Sequence, residues 1–240
     1  MKSILITGAS SGIGKALALH YAEQGNEVFA GGRNKQRLVE LCLHRPNLHP
    51  FVCDLTNSKE IKSATDNLSL LDIVILNAGS CEYIDNPMQF DGELFARVIN
   101  TNLISVGYCL QHLLPLIKKG GQLVLVSSSA QFLPFPRATA YGSSKAALTY
   151  LARTLEIELK PHGIGVSVVH PGFVETPLTA KNDFDMPGII SAEQAAQAIV
   201  KGIAAGKAEI NFPFAFICFL KFFTLLPRFV WQKVAQRMTV

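Results

Sequence analysis

The sequence predicts one α/β domain built on a doubly wound parallel sheet of about seven strands. Two observations carry that prediction. Short apolar runs alternate along the chain with amphipathic stretches of helical spacing. The runs are also nearly continuous in hydrophobicity, as in strands covered on both faces. The chain has 240 residues, enough for one sizeable core. Hydrophobic residues make up 49% and charged residues 17%, which fits a globular protein and excludes a disordered one.

The elements follow in order. SILIT (3–7), EVFAG (27–31), LHPFVC (48–53), LDIVIL (71–76), GQLVLV (121–126) and IGVSVV (164–169) read as buried strands, and KAEINFP (207–213) supplies a seventh. Amphipathic stretches at roughly 13–24, 34–43, 57–67, 91–118 and 139–160 read as the helices between them. In such sheets ligands bind beyond the carboxyl ends of the strands, so the residues just after each run are where chemistry is sought.

After the first strand comes TGASSGIG, Thr7 to Gly14. Gly8, Gly12 and Gly14 permit a tight turn and close approach of a pyrophosphate, and the helix that follows offers free N–H groups and a positive dipole end. The spacing is G-x-x-x-G-x-G, not the commoner G-x-G-x-x-G. After the second strand, where a carboxylate would bind a ribose 2′-hydroxyl, stand Gly31 and Gly32 followed by Arg33. An arginine fork suits a 2′-phosphate, so Arg33 favours NADP(H) over NAD(H). Asp54 follows the third strand and Asn77-Ala78-Gly79 the fourth, at the same edge.

In the helix over 139–160, Leu148, Leu151, Ala152, Leu155 and Leu159 define a buried stripe, and Tyr141 and Lys145 continue it. Residues four apart share a helix face. A lysine on such a face needs a partner. An ammonium beside a phenol lowers the phenol pKa, which would make Tyr141 a usable acid or base. The serines Ser127 to Ser129 end the preceding strand and face the same crevice.

These motifs together resemble the short-chain dehydrogenase/reductase family. The matches are T-G-x-x-x-G-x-G at Thr7–Gly14, N-A-G at Asn77–Gly79, a serine thirteen residues before Tyr141, Y-x-x-x-K at Tyr141–Lys145, and P-G at Pro171–Gly172. They run in family order from residue 1 to about 205. The resemblance implies a Rossmann-type nucleotide-binding catalytic domain over 1–212, with an apolar helical C-terminal extension over 213–240. It implies NADP(H)-dependent interconversion of a carbonyl and a secondary alcohol. Ser128 would orient the substrate oxygen, with Ser129 as the other candidate. Tyr141 would exchange the proton, Lys145 would hold the nicotinamide ribose and lower the Tyr141 pKa, and Asn102 would hold a relay water, with Asn100 as the alternative. Ser10, Ser11, Ile13, Leu55, Val174 and Thr176 join the cofactor contacts named above. A 3-ketoacyl thioester reductase matches every motif equally, with Arg137 as its candidate basic rim, and an NADP(H)-sensing regulatory protein is the non-enzymatic rival. The family's habit of pairing through the helices that bear Asn102 and Tyr141 implies a homodimer or homotetramer.

The remaining features narrow partners and place. The net charge of +4 comes without runs of basic and aromatic residues, which argues against nucleic acid. No metal-ligand pattern stands out. Cys42, Cys53, Cys81, Cys109 and Cys218 are scattered, as reduced thiols of a cytoplasmic protein would be, and read as small buried hydrophobes. His170 reads as packing beside the cofactor. Residues 212–233 hold the sole tryptophan, Trp231, and six of the fifteen phenylalanines fall within 212–223. The uncharged run from Phe212 to Leu220 is too short to span a bilayer, and Pro227 should break the helix. This segment fits a subunit or core contact, a peripheral membrane contact, or a wall over a lipophilic substrate pocket.

Overall fold

The computed structural model describes residues 1–238. Its strands form where large aliphatic side chains run together: β1 (Ser3–Thr7), β2 (Glu27–Gly32), β3 (Leu48–Val52), β4 (Leu71–Leu76), β5 (Ile117–Val126), β6 (Gly165–Pro171) and β7 (Glu209–Phe212). They make one sheet in the order β3-β2-β1-β4-β5-β6-β7, every pair parallel. This is the seven-stranded Rossmann-type architecture expected from the alternating pattern. β5 begins earlier than expected, because Ile117 pairs with Leu71 ahead of a bend at Gly120.

The helices are α1 (Gly12–Glu23), α2 (Lys35–Cys42), α3 (Ser58–Thr65), α4 (Gly92–Ile99), α5 (Ser105–Leu113), α6 (Thr139–Leu159), α7 (Ala192–Ala204), α8 (Phe214–Thr224) and α9 (Arg228–Gln236). Side chains alternate across the sheet and feed two cores. Ile4, Ile6, Ile73 and Ile75 pack under α1, α2 and α7, while Leu5, Val74 and Leu76 pack under α3, α5 and α6. The long helix expected over 91–118 is interrupted. A π-turn over Asn100–Ile104 separates α4 from α5, and it carries Asn102. The helix α7 has no counterpart among the expected stretches, although Ser191 and Gln194 form a complete capping box at its start. Of the five cysteines only Cys53 and Cys109 are buried. Cys42 and Cys81 are half-buried and Cys218 is exposed, so the reading of all five as core hydrophobes is corrected.

Pro227 divides the C-terminal segment into α8 and α9, as its missing N–H requires. The two helices fold back onto the loop after β5. Trp231 is 4% exposed, donates from Nε1 to the Pro134 carbonyl at 2.8 Å, and meets the rings of Phe135 and Phe223 edge-on at 5.3 and 5.5 Å. Leu133 and Leu220 complete this small core. Lys221 and Arg153 both bind the carboxylate of Glu209, at 2.9 and 2.6 Å, which ties α8 and α6 to β7.

The Trp231 cluster is separate from the two sheet cores, so its loss should be felt as a cavity. Trp231→Ala is expected to lower unfolding free energy by about 3–5 kcal/mol, read by urea denaturation under circular dichroism. A loss below about 1 kcal/mol would place the anchoring of α9 elsewhere.

Candidate active site

The crossovers diverge between β1 and β4, and the ends of those strands are joined by polar side chains. Thr7 Oγ1 accepts from the Asn77 and Ala78 amides at 2.9 and 3.1 Å, and Asn77 Nδ2 donates to the Thr7 carbonyl at 3.0 Å. Beyond this junction Gly8 turns with φ at +69°, where a Cβ would stand 2.8 Å from the Ala78 Cα. A Cβ on Gly14 would lie 2.3 Å from the Gly8 carbonyl oxygen. Only glycine lets α1 approach the loop this closely. Asn34, Asn57, Asp91 and Ser191 cap α2, α3, α4 and α7 with side-chain hydrogen bonds, whereas Ser11 makes none at the start of α1. The first amides of α1 therefore open onto the crevice as anion donors.

That crevice has a volume of about 370 Å³ and gathers nearly every residue singled out in the sequence. Gly8, Ser10, Ser11, Gly12 and Ile13 line one end with Arg33, Asp54 and Leu55. Asn77, Ala78 and Gly79 form the middle. Ser128, Tyr141 and Lys145 face Pro171, Gly172, Val174 and Thr176 at the other end. Gly14 and Asn102 do not line it; Gly14 serves the α1 approach and Asn102 lies behind the wall. The glycine cradle and the uncapped helix end fit a dinucleotide.

At the end near β2 and β3 Arg33 is exposed and stands 3.9 Å from Asp54. Asp54 Oδ1 accepts from the Thr56 amide and hydroxyl at 2.9 and 2.8 Å. Burial alone would raise the Asp54 carboxyl; these bonds and the Arg33 charge outweigh it and hold the carboxyl below its ordinary value.

At the other end Lys145 is buried. Its Nζ donates to the Val126 carbonyl at 2.9 Å and lies 5.7 Å from the centre of the Tyr141 ring. Burial pushes the Lys145 ammonium down to about 8. The Tyr141 phenol is raised above its ordinary value, first by desolvation and then by nearby Cys81, against a lowering hydrogen bond with Ser128. Tyr141 is half-buried and lines the crevice. Removal from water is the largest influence on the resting phenol, and it sets the direction of the shift.

The three serines separate by environment. Ser128 Oγ faces Tyr141 and accepts from the Ala130 amide at 3.1 Å. Ser127 Oγ instead donates to the Lys145 carbonyl at 2.9 Å and meets Thr149 Oγ1 at 2.8 Å, beneath α6. Asn102 is fully buried in the π-turn: Oδ1 accepts from the Ser80 amide at 2.7 Å, and Nδ2 donates to the Ser80 carbonyl and to Ser144 Oγ, both at 2.9 Å. Only one lone pair of its side chain stays uncommitted. Sequence reasoning missed Cys81 and Tyr83, which stand within electrostatic reach of Tyr141. It also missed the clamp of Arg137. That guanidinium binds Asp85 at 2.6 Å and Asp183 at 2.8 Å and covers the Tyr83 ring at 5.3 Å.

His170 completes the surroundings. It is buried, with Nδ1 2.9 Å from Asn211 Oδ1, Nε2 3.3 Å from Thr149 Oγ1, and its ring 5.0 Å from Phe132. Burial pushes its pKa down to about 4, so it is neutral in the folded state at pH 7. The unfolded chain binds the extra proton between the ordinary value of about 6.5 and 4, so this contribution to stability is lost as pH falls through that window. The loss should approach 3 kcal/mol, in order of magnitude, and His170→Asn should flatten the stability profile between pH 7 and 4. An unchanged profile in the variant would count against a neutral buried His170.

The comparisons agree with this geometry. A family model described as short chain dehydrogenase matches residues 2–186. An uncharacterized oxidoreductase of Myxococcus xanthus is 33% identical, with 99% of this chain and 97% of that protein covered. A 3beta-hydroxysteroid dehydrogenase of Mediterraneibacter gnavus is 32% identical over 77% of this chain and 70% of its own length. A 3-oxoacyl-acyl-carrier-protein reductase of Thermotoga maritima is 34% identical over 75% and 77%. The solved structure of a short-chain dehydrogenase from Sphingobium yanoikuyae in complex with NADPH superposes with a TM-score of 0.80 at 26% identity, covering 89% of each chain. Sheet order, glycine cradle and these matches place the chain in the short-chain dehydrogenase family of oxidoreductases.

Proposed function

We propose that the protein is an NADP(H)-dependent oxidoreductase that interconverts a carbonyl and a secondary alcohol on a lipophilic substrate. The observation that carries this reading is the convergence of Ser128, Tyr141 and the buried Lys145 at one end of a dinucleotide-shaped crevice. The nicotinamide cofactor, when bound, supplies or accepts the hydride. This chain's residues do the rest. The α1 amides and the Ser10–Ile13 loop bind the pyrophosphate, and Arg33 meets the 2′-phosphate. Ser128 orients the substrate oxygen. The raised phenol keeps Tyr141 Oη protonated at neutral pH, which suits donation to an oxygen gaining charge. Lys145, with one ammonium proton held by the Val126 carbonyl, has two more for the ribose and stabilises the phenolate as it forms. A relay water at Asn102 would have to use the remaining lone pair of Oδ1 or the backbone.

A lipophilic substrate is supported by a row of rings that starts at Tyr83, within electrostatic reach of Tyr141. Tyr83, Phe184, Phe173 and Phe216 meet ring to ring at 5.6–6.1 Å. The thioester reductase reading loses its basic rim, since Arg137 is held by two carboxylates. A pure NADP(H) sensor would have no use for Ser128 and Tyr141. Tyr150 and Ile157, 78% and 75% exposed on the outer face of α6, suit a homo-oligomer contact.

Two outcomes test this. Tyr141→Phe should cut NADPH turnover of ketosteroids and long-chain ketones by at least about 100-fold while NADPH binding persists; full turnover would remove Tyr141 from the chemistry. Arg33→Ala should raise the KM for NADPH by about 10- to 100-fold with little change for NADH. Equal effects on both cofactors would place the 2′-phosphate contact elsewhere.

A further inference from the structure

The outward face of α8 is apolar without being covered. Phe214, Phe219, Phe222 and Leu225 are 78%, 51%, 57% and 84% exposed, and Phe229 of α9 extends the row at 59%. Beyond Phe229 the same face of α9 continues in steps of four to Lys233 and Arg237, both exposed, with Arg228 beside them. Among the described residues none of these three cations enters a salt bridge.

The charge distribution is one-sided. The chain holds 22 basic and 18 acidic residues. Residues 211–240 hold Lys221, Arg228, Lys233 and Arg237 and no acidic residue, so the other 210 residues balance at 18 of each sign. The whole net charge of +4 sits on the segment that exposes the phenylalanines. A groove beside the apolar row, walled by Phe132, Phe222 and Leu225, adds Arg153 and Lys221 against the single carboxylate of Glu209.

We infer that the α8–α9 face docks on an anionic lipid bilayer surface. An apolar row that ends in three exposed cations, none in a salt bridge among the described residues, matches the boundary between acyl chains and acidic headgroups. No described helix is long and apolar enough to cross a membrane, so the helices lie in the surface plane. A second copy of the chain is a poor occupant, because a two-fold contact on this face crowds its cations against their own counterparts. On its inward side the same helix adjoins the crevice. Phe216 of α8 meets Phe173 at 5.6 Å, next to Gly172 of the crevice wall. Docking therefore brings the helix beside the crevice to the bilayer, where a lipophilic carbonyl partitions; this last step rests on the proposed reductase activity, and the docking does not.

Co-sedimentation of the full chain with phosphatidylcholine vesicles, with and without phosphatidylglycerol, tests the inference. The protein should bind the anionic vesicles, release with added salt, and bind neutral vesicles weakly. The triple variant Arg228→Gln, Lys233→Gln, Arg237→Gln should lose about 100-fold in partition to anionic vesicles. Phe219→Ser with Phe222→Ser should lose binding while the unfolding midpoint falls much less than in Trp231→Ala, since both side chains are half exposed although each touches the Phe223 ring. Three results would overturn docking: no binding to anionic vesicles, equal binding to both kinds, or a dimer in solution that the serine variant dissociates. NADPH turnover of a water-soluble ketone needs no lipid, so failure of the docking and failure of the reductase reading are told apart.

Discussion

Everything at the carboxyl edge depends on how β1 and β4 are held where the crossovers part. Parting strands leave backbone groups without ladder partners, and a buried unpaired amide costs about 1–3 kcal/mol. Thr7 and Asn77 meet that demand from both sides, one accepting two amides and the other donating to a carbonyl. The junction fixes where Gly8 turns, and Gly14 then lets α1 close on it. With α1 so placed, its uncapped amides point into the crevice and not at a side chain of their own. A helix that kept a serine or asparagine cap there would give up donors that a phosphate needs.

The far end of the crevice poses a harder problem, a buried cation. A lysine removed from water without a partner loses its charge or unfolds its site. Here the Val126 carbonyl takes one proton, and Ser127, Thr149 and His170 brace the carbonyl turn of α6 that carries Lys145. The π-turn does the same service opposite. By inserting a residue it swings Asn102 inward, where its amide fastens the Ser80 backbone to Ser144, one residue before Lys145. The positions of Tyr141 and Lys145 thus rest on polar side chains from β5, β6 and the π-turn, not on helix packing alone.

Much of this was legible in the sequence. Continuous apolar runs set the strands, and glycine spacing set the first crossover, because period and backbone freedom are local properties. The glycine loop, Arg33, Asp54 and Asn77–Gly79 followed from one rule, that ligands sit beyond the strand ends, while Ser128, Val174 and Thr176 came from the family resemblance. What escaped depends on distant neighbours. The π-turn breaks a pattern that reads as one helix, since the extra residue is paid out by packing against Ser80 and Ser144. The Arg137 clamp joins Asp85 and Asp183, 52 and 46 residues away in the chain. Helix α7 was missed although Ser191 and Gln194 were in plain view. The weight of desolvation on Tyr141 was not legible, because spacing reveals a nearby cation and says nothing of how much water the site excludes.

The C-terminal segment shows why composition alone left its role open. Its phenylalanines divide between two surroundings. Phe223 packs on Trp231, and Phe216 packs on Phe173, while Phe214, Phe219 and Phe222 face outward. A helix that served only as core would turn its polar residues out. On α8 the one cation, Lys221, is drawn to Glu209 and to the Phe132 ring at 5.3 Å, so the outward row has no charge of its own. Arg228, Lys233 and Arg237, in no salt bridge among the described residues, stand at the far end of that row, on and just after α9. Inward anchoring and outward display are therefore one arrangement. The Trp231 core fixes the orientation of α8, and that orientation keeps the apolar row exposed beside the crevice.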